Sequence, residues 1–163
     1  MKLIDTILFI YFLIISFAIP LLDAQVCLPS SIFPDILVRF KNWFANILGN
    51  YLISEKPHFY VGIAWLELLF AWPISIASIY GIVDGKSWVP TTCLMYGVYF
   101  FTALQVAILA ELMGSGRASK RLLTFYYIFM GFAVLAIARG LLPTSQRSNA
   151  FGIPSTQVMK KRA

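Results

Sequence analysis

Four long apolar blocks, separated by polar breaks, dominate the pattern along this chain. Each block is close to the about 20 mostly apolar residues that a helix needs to cross the hydrocarbon of a bilayer. The two breaks between the last three blocks, 84–86 and 114–117, predict tight turns between antiparallel helices. We therefore predict an all-α fold, a four-helix transmembrane bundle formed by residues 1–143, with spanning helices at about 4–22, 59–83, 88–113 and 122–142.

Composition indicates that lipid, and not water, surrounds this bundle. Hydrophobic residues make up 60% of the 163 residues and charged residues 12%, and the mean hydropathy is +0.79. Soluble domains are roughly 45–50% apolar and about 25% charged. A soluble domain of this length could not bury so much apolar surface, because small domains expose a large share of what they have.

The first apolar block has a rival interpretation as a cleaved secretory signal. Lys2 precedes the block, and a cleavage site could follow Ala24. Against this interpretation, Asp5 interrupts the positive segment, and the bulky Leu22 occupies a position where cleavage needs a small residue. We therefore expect the block to remain as the first spanning helix.

The polar tail, residues 144–163, has a composition that predicts disorder. Basic residues divide evenly between the two sides of the predicted bundle, so the positive-inside rule does not choose an orientation. Lys160 and Lys161 resemble the dilysine retrieval signal of endoplasmic reticulum membrane proteins, which is read from the cytosol. A basic tail in contact with anionic lipid is the alternative. We expect a multi-pass protein of the endoplasmic reticulum membrane with both termini in the cytosol.

Several other kinds of site are not indicated by the sequence. The net charge of +6 needs no nucleic-acid partner, because the basic residues lie in loops and tail without a stacking surface. The single histidine, His58, and the scattered acids lack the spacing of a metal site, and no cofactor fingerprint occurs. Cys27 and Cys93 are predicted near opposite membrane faces, so we predict no disulfide. We expect no metal and no cofactor.

Two acids stand out, because Asp23 closes the first apolar block and Glu67 lies inside the second. A carboxylate at mid-helix costs about 2.5–3.5 kcal/mol to insert, so such residues face the bundle interior and usually have a partner. The second block is longer than the hydrocarbon requires, so its first turn can protrude and bring the two acids within about one helical turn axially. Glu111 lies near an interface and is expected to reach water.

Two carboxylates held together in a low dielectric cannot both ionise cheaply, so the pair of Asp23 and Glu67 is expected to share a proton. The remaining negative charge suits a ligand with one protonated amine and an apolar body. Pro73 removes a backbone hydrogen bond beyond Glu67 and should kink the helix, which leaves room for a cavity. The alternative is a structural pair, satisfied within the protein.

A short amphipathic segment is predicted between the first two spanning helices. Residues 32–47 carry apolar side chains at helical spacing, with Arg39, Lys41 and Asn42 on the other side. This pattern predicts a helix at the membrane surface. Placed on the lumenal side, the helix would roof a cavity that contains Asp23.

The order and spacing of these residues resemble the sigma-2 receptor family, which belongs to the EXPERA-domain superfamily together with the emopamil-binding sterol isomerase. The matching residues are Leu22, Asp23, Ala24, Gln25, Leu28, Pro29, Phe40 to Trp43, Glu67 to Phe70, and Pro73. Weaker matches follow at Pro90, Tyr96, Arg121 and Leu122. The resemblance covers roughly residues 8–140.

The resemblance implies a four-helix reticulum protein, commonly a homodimer, with an occluded pocket that opens sideways to lipid. It implies that Asp23 pairs with a ligand's amine and that Glu67 hydrogen-bonds to Asp23. Further ligand-binding positions implied in this way are Trp43, Tyr60, Tyr96, Thr102 and Tyr127. The implied ligands are sterols and cationic amphiphiles, and the implied partner is the Niemann-Pick type C protein of cholesterol trafficking.

The chain also departs from the family pattern. Asn50 falls where some members have a third acid, and Ala71 falls where members have a glutamine. The tyrosines of the fourth helix align only loosely with Tyr126 and Tyr127. Small residues around Gly131 and 133–138 would permit a homodimer.

Two alternative functions remain beside a receptor without enzymatic activity. A sterol isomerase of the same superfamily needs a proton donor and an acceptor on either side of the sterol. The isomerases carry a histidine one turn before the first acid, where this chain has Ile19. A membrane chaperone or trafficking adaptor is the other alternative, and the basic loop from Arg117 to Arg121 would suit its protein partner.

Overall fold

A computed structural model describes residues 3–142, apart from the side chains of residues 105 and 106, and every regular element in that range is helical. Four helices are long and apolar enough to cross a membrane, which confirms the predicted all-α bundle. In chain order the helices are α1 (Leu3–Cys27), α2 (Asp35–Leu48), α3 (Tyr51–Glu55), α4 (His58–Asp84), α5 (Val89–Gly114) and α6 (Lys120–Leu141). The tail 144–163, with Lys160 and Lys161, lies outside the described residues.

The ends of these helices follow the chemistry of single residues. Gly49 and Gly85, which follow α2 and α4, both adopt φ +65°, a conformation that glycine reaches without steric cost. Ser119 caps α6 by accepting a hydrogen bond from the Leu122 amide (3.1 Å). Asn50 caps α3 in the same way through its side-chain oxygen.

α5 and α6 approach each other closely because small residues line their contact. A Cβ added at Gly97 would lie 2.8 Å from the Ala133 carbonyl oxygen, and one added at Gly140 would lie 2.5 Å from the Leu94 Cβ. Ala133 and Ala136 are fully buried there. These alanines therefore serve packing within the chain, whereas Gly131 has nothing within 4 Å of an added Cβ.

A buried ion pair joins α1 to α6 at the end of the bundle where α1 begins. The Asp5 carboxylate pairs with the Arg139 guanidinium, and their side chains are only 14% and 9% exposed. At mid-bundle, the hydroxyls of Tyr11 and Tyr96 are hydrogen-bonded (2.9 Å), which ties α1 to α5. Large apolar side chains such as Ile10, Ile14 and Phe17 cover the outer face of α1, as expected for a surface in lipid.

Three spanning helices contain a wider, π-helical stretch: Ile19–Asp23 in α1, Glu67–Ala71 in α4 and Ala103–Leu109 in α5. Pro20 lies within the first stretch, and Pro73 follows the second by two residues. A proline lacks the N–H that an α-helical hydrogen bond needs, so it favours such irregular turns. The sequence predicted a kink caused by Pro73, and the structure has a π-helical turn just before that proline, at Glu67–Ala71.

α2 and α3 cover the bundle end where α1 stops, and we call these two helices the roof. The Gln25 amide donates to the Leu37 carbonyl (3.4 Å), and Lys56 Nζ donates to the Gln25 carbonyl (3.1 Å), which connects the roof region to α1. Ser119 Oγ donates to the Leu48 carbonyl (2.7 Å), which connects the roof to the α5–α6 loop.

The orientation of α2 corrects one expectation from the sequence. Lys41 was expected on the polar outer side with Arg39 and Asn42, but it is buried on the side that faces the bundle. The reason is that α2 has a second apolar stripe, which stays exposed: Ile36, Phe40, Trp43 and Ile47. The helix therefore turns one apolar stripe toward the bundle and the other toward its surroundings.

Candidate functional site

A cavity of ≈ 270 Å³ lies inside the bundle beneath the roof. Each of the four spanning helices and both roof helices contribute to its wall. Most of the wall is apolar, including Ile15, Ile19, Phe100, Leu104, Ile108 and Phe129. The three π-helical stretches all contribute wall residues, which agrees with the common occurrence of such turns at binding sites.

Asp23 and Glu67 both line this cavity, each from the π-helical turn of its helix. The two turns contact each other, so α1 and α4 bring the carboxyl groups to one region of the wall. Among the residues whose side chains the structure describes, no hydrogen bond or ion pair joins either carboxyl group to another residue. The hydrogen bond between them that the family resemblance implied is therefore not formed in this structure.

Tyrosine hydroxyls and one amide provide further polar groups on the wall. Tyr96 is fully buried, and its hydroxyl is held by Tyr11 at 2.9 Å. Asn50 donates to the Tyr126 hydroxyl (3.2 Å), and Tyr60 lies beside Tyr126. Asn50 replaces the third acid of some family members, and here it links the roof to α6.

Lys41 is the cationic residue that the structure adds to the wall. Burial, and to a smaller degree the neighbouring charge of Lys56, lower the pKa of the Lys41 ammonium. The side chain projects from the inner face of α2 together with Phe44. The cavity therefore contains groups of both charge signs.

The structure brings four of the predicted ligand-binding residues to the cavity: Asp23, Tyr60, Glu67 and Tyr96. It places three others elsewhere. Trp43 is 57% exposed on the outer stripe of α2, and Tyr127 is 50% exposed with its hydroxyl toward Met113 Sδ (3.8 Å). Thr102 is exposed and donates to the Val98 carbonyl (2.9 Å).

Helical geometry accounts for the positions of these three side chains. Consecutive residues of a helix point about 100° apart, so a shift of one position moves a side chain to another face. On the wall, Phe44 lies where Trp43 was expected, and Tyr126 lies where Tyr127 was expected. Thr102 directly precedes the π-helical stretch of α5, which changes the helical register beyond it.

The sequence contained a signal for Lys41 that its interpretation missed. Leu37, Phe44, Ala45 and Leu48 recur at helical spacing and are at least partly buried, and Lys41 falls within this stripe. A charged residue within an otherwise apolar stripe marks a position that faces the protein. Arg39 and Asn42 next to it suggested the opposite face.

The fold and the cavity together define a four-span membrane protein with an acid-containing cavity inside the bundle. The family model EXPERA (EXPanded EBP superfamily) matches residues 36–145, so the chain belongs to this family. The chain is also similar to individual proteins whose name matches the family that its sequence resembles. The resemblance to the sigma-2 receptor family is thereby confirmed as a similarity to proteins of that name.

Three of these relatives are each named sigma intracellular receptor 2. The proteins of Homo sapiens and Macaca fascicularis are 29% identical over 87 residues, which cover 51% of this chain and 48% of each relative. The Xenopus tropicalis protein is 22% identical over 113 residues, 69% of this chain and 66% of the relative. The matched region thus spans about half the length of the first two relatives.

Proposed function

We propose that this chain is an intracellular membrane receptor that binds sterols and cationic amphiphiles in the cavity beneath the roof. The observation that carries the proposal is the pair of carboxyl groups, Asp23 and Glu67, in a mostly apolar wall without a protein partner among the described residues. A buried charge is normally paired, because leaving it unpaired is costly. A ligand that brings its own ammonium group would supply the partner.

The rest of the wall supports a ligand with an apolar body. Phe100, Leu104 and Phe129 surround the space next to the acids with aromatic and aliphatic surface. The cavity volume of ≈ 270 Å³ is close to the lower end of the about 300–1,000 Å³ usual for small-molecule sites. Tyrosine hydroxyls could orient a ligand's hydroxyl group, as a sterol would require.

Binding without catalysis is the better-supported function. A double-bond isomerisation needs a proton donor and an acceptor on opposite sides of the substrate. The position one turn before Asp23 is Ile19, which lines the cavity with an apolar side chain. The named relatives are receptors, which supports the same conclusion.

We further propose that the protein acts in sterol homeostasis or trafficking at the endoplasmic reticulum, with cytosolic termini. Support comes from the name of the relatives, sigma intracellular receptor 2, and from the resemblance to the sigma-2 receptor family. A homodimer and a sterol-trafficking membrane protein are the proposed partners, because the exposed apolar faces of the bundle offer contact surface within the membrane.

The test is equilibrium binding of tritiated N,N-dimethyldodecylamine to purified protein in lipid nanodiscs, with cholesterol as competitor. Asp23→Asn and Glu67→Gln should each weaken binding roughly 10- to 100-fold, since each removes a charge-assisted contact. Asp35→Asn is the matched control, because Asp35 is exposed at the start of α2 and away from the cavity. Thermal unfolding checks that each variant folds.

Equal affinity in the wild type and both cavity variants would contradict the proposal and leave the acids a structural role. Loss of binding in Asp35→Asn would show instead that the assay reports general surface charge. Competition by cholesterol is the result expected if sterol and amine share the cavity.

A further inference from the structure

Lys41 has features that packing alone does not explain. It lies in the cavity wall and is only 9% exposed. No hydrogen bond or ion pair joins its ammonium group to any other side chain or backbone group that the structure describes. A buried ammonium without a partner is costly, and a lysine is almost never buried unless it is paired.

The fold holds the backbone of Lys41 in this inward position. The Leu37 carbonyl, one turn earlier on the same face, accepts a hydrogen bond from Gln25 of α1. Ala45, one turn later, is buried, and the Leu48 carbonyl at the end of α2 is held by Ser119. The inner face of α2 is thus fixed at both ends, with Lys41 between the two attachments.

The acids of the same cavity do not neutralise this cation. No ion pair connects Lys41 to Asp23 or Glu67, although all three residues line one wall. Lys56, whose charge lowers the pKa of Lys41, has the same sign and adds to the positive potential at the roof. The cavity therefore has a positive region at the roof and a negative region between α1 and α4.

We propose that the ligand of this cavity is a zwitterionic amphiphile, with an ammonium group at Asp23 and Glu67 and an anionic group at Lys41. The anionic group is a carboxylate or a phosphate, since both accept charge-assisted hydrogen bonds from an ammonium. The apolar body lies against the aromatic and aliphatic wall. This inference rests on the proposed function and narrows its ligand class.

The experiment compares probes that share one chain and differ only in the head group. N-methyldodecylamine is a cation, N-dodecylglycine adds a carboxylate, and N-dodecylaminomethylphosphonate adds a phosphonate in place of phosphate. Each displaces tritiated N,N-dimethyldodecylamine from protein in nanodiscs. The variants are Lys41→Met, which keeps the stem without the charge, Lys41→Arg, which keeps the charge, and Asp23→Asn.

In the wild type, at least one zwitterion should bind more tightly than the cation. Whichever of the two zwitterions has the higher affinity identifies the anionic group as carboxylate or phosphate. Lys41→Met should weaken binding of that zwitterion about tenfold, as expected for one charge-assisted hydrogen bond, and should not weaken binding of the cation. Lys41→Arg should retain the preference for the zwitterion.

Two results would overturn this inference while the proposed function stands. In one, the Lys41→Met variant binds the cation and the zwitterion with the affinities of the wild type, which would leave the Lys41 side chain a packing role alone. In the other, the Lys41→Met variant loses affinity for both probes equally, which would assign Lys41 a structural role in the roof. Failure of the proposed function looks different: the wild type binds none of the probes, or Asp23→Asn binds N-methyldodecylamine unchanged.

Discussion

Charged side chains inside this bundle fall into two kinds at the scale of single residues. Asp5 and Arg139 satisfy each other, and their pair lies at the bundle end away from the cavity. Asp23, Glu67 and Lys41 have no such partner among the described residues, and all three line the cavity. Because desolvation is costly for every charge, the paired groups stabilise the fold, and the unpaired groups are the ones to which we assign the ligand in the proposed function.

The first prediction concerns the buried ion pair. Asp5→Asn leaves the Arg139 guanidinium buried without its counter-charge and should lower the free energy of unfolding by about 3–5 kcal/mol. The measurement is reversible unfolding in mixed micelles with increasing SDS. Glu55→Gln breaks the exposed pair of Glu55 with Arg117 and is the matched control, with a much smaller expected effect.

A restoring variant makes this prediction sharper. Asp5→Leu combined with Arg139→Met removes both charges at once and should recover most of the lost stability, because no charge then remains unpaired. If Asp5→Asn unfolds at the same SDS fraction as Glu55→Gln, the pair does not stabilise the bundle.

Single acids in apolar blocks were the part of the site that the sequence could predict. Asp23 and Glu67 are conspicuous there, because insertion of a carboxylate is costly. Trp43 and Tyr127 lie outside the cavity wall and their neighbours Phe44 and Tyr126 lie in it, a choice that depends on a rotation of about 100°. The three π-helical stretches shift that rotation, and only Pro20 and Pro73 hint at two of them in the sequence.

At the scale of elements, the bundle has widened helices around its cavity and one closely packed pair of helices beside it. The π-helical stretches of α1, α4 and α5 widen their helices around the cavity. By contrast, α5 and α6 approach each other closely, because Gly97 of α5 and Gly140 of α6 have no side chain at their contact. A bundle can keep an internal cavity only if other contacts supply packing, and the glycines allow this close approach.

The second prediction concerns these glycines. Gly140→Ala would place a methyl group 2.5 Å from Leu94 Cβ and 2.8 Å from the Pro90 carbonyl oxygen. The backbone must move to relieve these two close contacts, so the free energy of unfolding should fall by about 1–3 kcal/mol. Gly97→Ala should behave alike, because its added Cβ meets the backbone of Ala133.

Gly131→Ala is the control within the same helix as Gly140. Its added Cβ has nothing within 4 Å, and alanine is the better helix former by about 0.5–1 kcal/mol. This variant should therefore unfold at the same or a higher SDS fraction than the wild type. Equal losses in all three variants would contradict the close contact of α5 and α6.

The two ends of the whole molecule differ in what they contain: one has the cavity and its roof, and the other has a buried ion pair. The roof end contains the cavity, and the roof is attached to the α5–α6 loop by the Tyr51 hydroxyl, 2.8 Å from Ser115 Oγ, and by Arg117 with Glu55. The other end is closed by the pair of Asp5 and Arg139.

Hydropathy predicted the four spans because the length of an apolar block depends only on bilayer thickness. It predicted the end of α1 at residue 22, whereas the helix continues to Cys27 through the turn that contains Pro20 and Asp23. The inward face of α2 could not be predicted from its pattern alone. Both sides of this helix carry apolar stripes, and tertiary hydrogen bonds such as that of Gln25 with Leu37 select one of them.

The last prediction concerns how the whole molecule lies in the membrane. The outer stripe of α2 exposes Ile36, Phe40, Trp43 and Ile47, and an exposed apolar stripe at a bundle end is expected to lie in the lipid interface. Trp43 fluorescence should then be quenched by lipids brominated next to the headgroup, and Trp43→Phe should remove that part of the quenching. Trp65 lies about 10 Å along α4 from the roof end of that helix and is 41% exposed. Trp65→Phe should therefore remove quenching by lipids brominated near the ends of their acyl chains. If Trp43→Phe leaves quenching by both kinds of lipid unchanged, the outer stripe of α2 does not lie in the lipid interface.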